Sequence, residues 1–299
     1  MRVKLKTLFF SCISSVLFFS CIAQDLSDCP PPVNMQLTFS YRGDTGDPSM
    51  FARKIDQVTL MVYNENDKLI LNRNINKNEL TRHQGANIYL EPGSYRIICW
   101  GNTNEFTEFT RCELFTDGRL HHPYFFTSWP IPTNSHLYYG SYTAIVPKNG
   151  MVSGDIAFRG AHINVEVYIR DLISKKAEND DPKVEAHNLM PEYDMEMKPA
   201  QPFTATYYPE TIFNMERNLN QAFFQVLRFS DENPVWIEIK DSTGKSKCRI
   251  ELKEYMLTNE ITVDGKNEAT VPILIEYTDL GVEIKLPEWI VNEVDPGTR

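Results

Sequence analysis

Apolar and polar residues alternate in short runs along most of this chain. The clearest run places Ile163, Val165 and Val167 on one face, with Asn164 and Glu166 on the other. Such alternation predicts β-strands, because successive side chains of a strand point to opposite faces of its sheet. Further runs of this kind are Met35–Tyr41, Val58–Val62, Leu69–Leu71, Ile88–Leu90, Tyr95–Trp100, Ala222–Phe229, Val235–Lys240, Cys248–Leu252, Val271–Tyr277 and Val282–Leu286.

Between these runs the sequence is rich in residues that form turns. Pro92 and Gly93 predict a type II turn, in which proline fixes the first central φ and glycine tolerates a positive φ at the second. Helical periodicity is almost absent, although short helical pieces are expected near Glu105–Leu114 and Thr211–Ala222. Many short strands separated by turns favour antiparallel sheets packed as sandwiches over a βαβ architecture.

The length of 299 residues fits one large domain or two of ordinary size. We place a boundary just before Ala161, which gives an N-terminal domain at 21–160 and a C-terminal domain at 161–299. Each part is long enough for one sandwich with its own core. The predicted fold class is therefore all-β, with two tandem antiparallel β-sandwich domains.

Residues 1–20 have the pattern of a signal peptide. Arg2, Lys4 and Lys6 precede an uncharged run, Leu8–Phe19, that is too short to span a bilayer as a helix. Two cleavage sites are possible: before Cys21, which would then carry lipid as the new N-terminus, or after Ala23 at a small-x-small site. Two or more acyl chains on Cys21 would anchor the mature protein stably.

Four cysteines remain once Cys21 is assigned to lipid and the signal peptide is removed. Cys99 and Cys248 fall on the inward faces of predicted strands, where a free cysteine serves as a small core residue. Cys29 and Cys112 lie in irregular sequence, and export permits disulfides, so they are the better candidate pair.

Composition and motifs give no indication of catalysis. The net charge of −10 repels nucleic acid, and the sequence lacks the GxSxG, HExxH, P-loop and dinucleotide-binding motifs. We therefore expect no enzyme activity, no cofactor and no metal, including at His121-His122, because neighbours in extended chain point in opposite directions. An aromatic cluster is assigned to the core in preference to a sugar-stacking platform; it comprises Tyr124, Phe125, Phe126, Trp129, Tyr138, Tyr139 and Tyr142.

Several short segments resemble one known family. Its members are the fimbrillin-associated anchor proteins of Bacteroidales, lipoproteins at the base of type V pili. The resemblance extends over most of the chain and is strongest in the N-terminal half. The segments that carry it are Asp28-Cys29-Pro30, Val58–Tyr63 followed by Asn66–Leu69, Leu90–Tyr95 with Trp100-Gly101-Asn102, and Leu137–Gly140.

The resemblance implies transthyretin-like sandwiches and favours the lipid on Cys21. It also implies a non-catalytic lipoprotein of the outer membrane, exposed at the cell surface or on the fimbrium, that anchors a pilus and limits its length. Its partner would be the fimbrillin shaft subunit, bound by β-strand addition. Two alternatives are an accessory or tip fimbrillin and a surface glycan-binding lipoprotein. The run Val282–Val294, with Trp289, is a candidate partner-facing segment, although an ordinary final core strand is favoured.

Overall fold

The computed structural model describes residues 33–171, 182–200 and 204–291. The predicted signal peptide, Cys21 and Cys29 lie outside these ranges. Strands dominate, and among the described residues no helix is long and apolar enough to cross a membrane. The elements up to residue 160 are β1 Met35–Ser40, α1 Met50–Lys54, β2 Val58–Asn64, β3 Leu69–Ile75, α2 Lys77–Arg82, β4 Gly85–Ile88, β5 Gly93–Gly101, β6 Glu108–Thr110, β7 Arg119–His121, β8 Tyr138–Val146, β9 Val152–Ala157 and β10 Arg159–Gly160.

The remaining described residues form ten further strands and two short helices. These elements are β11 His162–Asp171, β12 Lys183–Leu189, β13 Glu192–Asp194, β14 Ala205–Tyr207, β15 Ile212–Asn214, β16 Leu219–Leu227, β17 Trp236–Lys240, β18 Ser246–Glu251, α3 Leu252–Thr258, β19 Thr270–Thr278, β20 Gly281–Lys285 and α4 Glu288–Val291.

Two sheets enclose the first core. One has the order β4-β1-β9 and the other β10-β8-β5-β2-β3. The alternation in β1 turns Met35, Leu37 and Phe39 inward, where each is at most 2% exposed. They meet Leu60 and Ile97 from the facing sheet, so the period-two pattern of the sequence corresponds to the two faces of each strand.

A second pair of sheets encloses a second core. Their strand orders are β15-β16-β11-β19-β20 and β14-β12-β17-β18. Ile163, Val165 and Val167 of β11 are at most 1% exposed and pack against inward residues of the facing sheet, such as Ile237 and Ile239. Most strand pairs are antiparallel, but β1 lies parallel to β9 and β11 parallel to β19. The predicted all-β class with antiparallel sheets is confirmed.

A small third sheet joins strands from both sides of residue 160. Its order is β13-β7-β6, so β13 pairs with β7 from the first part of the chain. With this sheet comes a third core, in which Trp100 is fully buried between Tyr139 and Tyr193, with ring centroids 4.9 and 6.0 Å away. The domain boundary near residue 160 stays a prediction.

Three local predictions are wrong. The segment 105–114 contains β6, which pairs with β7, and the segment 211–222 contains β15, which pairs with β16, so neither is helical. Cross-strand pairing has overridden the weak helical pattern in both. Gly93 does not have a positive φ and begins β5 opposite Val146, which excludes a type II turn.

Candidate partner-binding edge and exposed aromatic loop

The strand β20 forms one edge of the second sandwich. It pairs with β19 on one side, and within the described part of the chain no strand pairs with its other side. An edge strand presents unpaired backbone N–H and C=O groups, which native proteins cover, protect or use for binding. Two other edge strands carry charged side chains, which discourage pairing with another chain: Lys247 and Arg249 on β18, and Arg73 on β3.

The apolar side chains of β20 face the space between the two sheets. Ile284 lies directly opposite Ile275, and Val282 lies opposite Tyr277. Opposed residues of an antiparallel pair share a face, and Ile275 is fully buried in the core. Ile284 and Val282 remain 38% and 41% exposed, so the edge of this core is open on the side where an added strand would lie.

The other face of β20 carries ion pairs. Lys285 Nζ lies 2.7 Å from Oε2 of Glu276. The other carboxylate oxygen of Glu276, Oε1, accepts a hydrogen bond of 2.6 Å from Arg170. These bonds lower the pKa of Glu276, with the bond from Lys285 contributing most. The charges hold β20 on its sheet while its inward side chains stay accessible.

The sequence favours a final core strand for the run that begins at Val282, but within the described residues this run forms the edge strand β20 and then α4. Residues 281–284 of β20 are exposed, and the chain then turns into α4. Trp289 lies on the outer face of the sheet, with its ring centroid 5.1 Å from Tyr168 and 4.7 Å from the guanidinium carbon of Arg217. An apolar strand at a sheet edge loses burial because only one neighbour covers it.

The aromatic cluster divides between core and surface. Tyr138 and Tyr139 are buried as predicted, and Phe125 and Tyr142 pack at the edges of the two main cores. For the other three members the core assignment is wrong: the exposed fractions are 42% for Tyr124, 67% for Phe126 and 69% for Trp129.

A short turn displays these three side chains. The Phe125 N–H donates to the carbonyl of His122 and the Thr127 N–H to that of Tyr124, each at 3.0 Å. The side chain of Phe125 packs on the second core, and Ile131, 5% exposed, is buried there too. The ring of Phe126 lies edge-on to that of His121, with centroids 4.9 Å apart, but Phe126 and Trp129 keep about two thirds of their surface exposed. The sequence signal for this exposed turn was the turn-forming pair Thr127-Ser128, which lies between Phe126 and Trp129.

The two adjacent histidines are internal. His121 and His122 are 2% and 1% exposed, and His122 Nδ1 accepts a hydrogen bond of 3.0 Å from the Tyr124 N–H. Burial, and then the neighbouring His121, lowers the pKa of His122 to about 4. These side chains support the base of the aromatic loop.

The three cysteines within the described residues are free thiols packed in or against the cores. Cys99 is fully buried in the first core, which confirms its assignment, and Cys248 packs half-buried at the second. The half-buried Cys112 thiol donates to the carbonyl of Thr110 at 3.5 Å, and burial raises its pKa to about 11. Because Cys29 lies outside the described residues, the Cys29–Cys112 disulfide stays a prediction, as does lipid on Cys21.

Similar folds occur among solved proteins of Bacteroidales. A Bacteroides ovatus protein described as a candidate adhesin has a TM-score of 0.70 at 14% identity, covering 86% of this chain and 94% of that one. A Bacteroides thetaiotaomicron protein described as a candidate for polysaccharide binding has a TM-score of 0.68 at 12% identity, covering 86% and 99%. At such identities these likenesses establish the fold alone.

A third solved structure and a family model both concern fimbrial anchor proteins. The fimbrial anchor protein Mfa2 from Porphyromonas gingivalis has a TM-score of 0.61 at 16% identity, covering 84% of this chain and 94% of that one. The model described as "Fimbrillin-A associated anchor proteins Mfa1 and Mfa2" matches residues 26–295. No curated protein matches the sequence.

Proposed function

Since this chain belongs to the family of fimbrillin-A associated anchor proteins, we propose that it attaches the base of a fimbria to the outer membrane. Membership makes the chain a fimbrial anchor or adhesin protein. We further propose that the attachment is a lipid on Cys21, that the protein is a non-catalytic structural lipoprotein, and that it limits fimbrial length.

The position of β1 is the observation that carries the anchoring proposal. This strand follows the predicted lipid-bearing segment and is central in its sheet, with β4 on one side and β9 on the other. Its inward residues Met35 and Leu37 are fully buried. Tension applied through the N-terminus would run along β1, across hydrogen bonds that lie perpendicular to the strand on the antiparallel β4 side and slanted on the parallel β9 side. Those bonds would share the load, as an anchor requires.

The open edge at β20 supports binding of a fimbrillin shaft subunit by β-strand addition. An extended partner segment would pair with the free backbone groups of β20 and cover Val282 and Ile284. In this mode of binding, main-chain hydrogen bonds supply affinity and side-chain pockets supply specificity. The same site would end growth, because one occupied edge accepts one subunit.

Deletion of the gene tests the anchoring role. The deletion strain is expected to make pili but to shed them into the medium, with a longer mean length. Complementation with wild type should restore attachment, and complementation with Cys21→Ala should not. Normal pili of normal length on the deletion strain would refute the anchor role and leave an accessory or tip subunit.

A pair of substitutions at β20 tests the partner site. Val282→Lys with Ile284→Lys should reduce capture of purified fimbrillin at least about tenfold, because two charges would enter the interface core. The matched control is Glu283→Gln, on the same strand but on the opposite face. Equal capture by the double variant and wild type would place the partner elsewhere.

Glycan binding is the second candidate function, and the exposed loop carries it. Tyr124 and Trp129 present rings whose centroids are 6.2 Å apart, and Phe126 of the same loop is 67% exposed. Exposed aromatic side chains provide flat apolar faces on which sugar rings stack. A glycan array with wild type and Trp129→Ala decides this: signal that is lost in the variant supports it, and a blank wild-type array removes it.

A further inference from the structure

Three chemically distinctive side chains meet on the outer face of the second sandwich. The alternation in β12 and β17 turns Glu185, His187 and Glu238 away from the core. Glu185 lies directly opposite Glu238, and one ligand atom from each of the three residues lies within 4.8 Å of the others. Like charges directly opposite each other destabilise a strand pair unless a cation lies between them.

His187 is held with one nitrogen directed at the two carboxylates. Its Nδ1 lies 3.0 Å from the hydroxyl of Thr206, and its ring stacks on Trp236 with centroids 3.7 Å apart. Its Nε2 is buried and has no hydrogen-bond partner in the described part of the chain. The nearest carboxylate oxygens are those of Glu185, at 3.2 Å, and Glu238, at 3.7 Å.

These separations suit a small divalent ion. Zinc binds nitrogen and oxygen at about 2.0–2.2 Å, so two ligands of a tetrahedral site lie about 3.4 Å apart. The distances from His187 Nε2 to the two oxygens, 3.2 and 3.7 Å, lie on either side of that value. The Thr206 hydroxyl is placed to accept the Nδ1–H, which is the usual way of directing Nε2 at a metal.

A lysine now supplies the positive charge. Lys240 Nζ lies 2.7 Å from the same oxygen of Glu185 and 3.3 Å from the same oxygen of Glu238. One ammonium group contacts both carboxylates, while Arg249, directly opposite Glu238 on β18, pairs with Glu251 instead. The lysine side chain is 23% exposed, and its flexible stem can swing into solvent when a stronger cation arrives.

We propose that Glu185, His187 and Glu238 form a binding site for zinc, with Lys240 as the group that the metal displaces. Water would complete the fourth position, because the three side chains are 14–17% exposed and displacement of Lys240 would let solvent reach the ion. The imidazole favours zinc and its first-row neighbours over calcium and magnesium, which prefer six or more oxygen ligands or water. Metal binding would clamp β12 to β17.

Zinc titration of the purified mature protein tests the site, by competition with a chromophoric chelator and by the visible spectrum of the Co²⁺ form. Wild type is expected to bind one ion. His187→Gln should weaken binding about 100-fold and Thr206→Val about tenfold, the scale of ligand and outer-shell losses. Lys240→Met should tighten binding about tenfold, a gain that a damaged fold would not produce.

The matched control is His83→Gln, the same substitution at a histidine after α2 in the first sandwich, and it should bind like wild type. Circular dichroism without metal checks that each variant is folded. Unchanged binding in His187→Gln would overturn the proposal. So would a wild type that binds no zinc, or a Lys240→Met variant that binds more weakly than wild type.

Discussion

Single buried side chains carry much of the chemistry of this fold, and His162 at the start of β11 is one of them. It is 2% exposed and its Nδ1–H donates to the carbonyl of Leu137 at 2.9 Å. Burial is the largest of several effects that together lower its pKa from 6.5 to about 4. The folded state therefore keeps this histidine neutral at a pH at which the unfolded chain has taken up a proton.

A loss of stability in acid follows from that difference. Above pH 6.5 the histidine is neutral in both states, and between pH 6.5 and 4 only the unfolded state binds the proton, so stability falls as pH falls. The loss from this group approaches about 3 kcal/mol near pH 4. Urea unfolding at pH 7 and pH 4.5 should show a smaller fall for His162→Asn than for wild type. An equal fall would contradict the assignment to His162.

Trp100 in the third core and Trp129 in the exposed loop form a matched pair of substitution sites, one buried and one exposed. Trp100 is fully buried against Tyr139 and Tyr193, whereas Trp129 is 69% exposed. We expect Trp100→Ala to cost about 3–5 kcal/mol of unfolding free energy, through lost burial and the cavity it leaves. Trp129→Ala should change it by less than about 0.5 kcal/mol. Similar losses in chemical denaturation would contradict the burial of Trp100.

At the scale of elements, periodicity predicted many of the longer strands, although not β8 or β12, and it predicted short elements poorly. The alternation at 163–169 fell within β11, and that at 95–100 within β5. The three-residue strands β6, β7 and β13 are too short to show a period. The helices α1 and α2 are equally short, with five and six residues, and only the N-cap Asn76 marks the start of α2 in the sequence.

The cap of α2 gives a prediction for one element. Asn76 Oδ1 accepts a hydrogen bond of 3.1 Å from the Glu79 N–H at the start of the helix. Asn76→Ala should therefore cost about 1 kcal/mol, the usual value for losing an N-cap. Asn78→Ala, exposed inside the same helix, is the control and should be neutral or slightly stabilising. Thermal unfolding of both variants measures the difference, and equal midpoints would exclude the cap effect.

At the scale of the molecule, the third core connects the two sandwiches. The Tyr193 hydroxyl donates to the carbonyl of Ala161 at 3.1 Å and accepts from the Arg228 N–H at 2.6 Å. Its ring stacks on Trp100 from the first part of the chain. Contacts of this kind make the unfolding of one sandwich expose apolar surface of the other.

Calorimetry tests that connection. Wild type should unfold in a single transition, and Tyr193→Ala should broaden or split it, because the shared core is lost while each sandwich keeps its own. The control is Tyr208→Ala, 45% exposed, which should keep one transition. Two transitions in wild type would mean that the sandwiches unfold independently. Limited proteolysis near Arg159 tests the predicted boundary itself.

The sequence by itself determined the all-β class, the inward faces of strands such as β1, β5 and β11, and the family resemblance. Those features are local, because a period of two can be read from neighbouring residues. Only the tertiary structure decided which strand forms an open edge and which aromatic side chains remain exposed. It also placed Glu185 opposite Glu238, 53 residues further along the chain. Such pairings depend on strand order and register, which residues distant in sequence fix together when they pack.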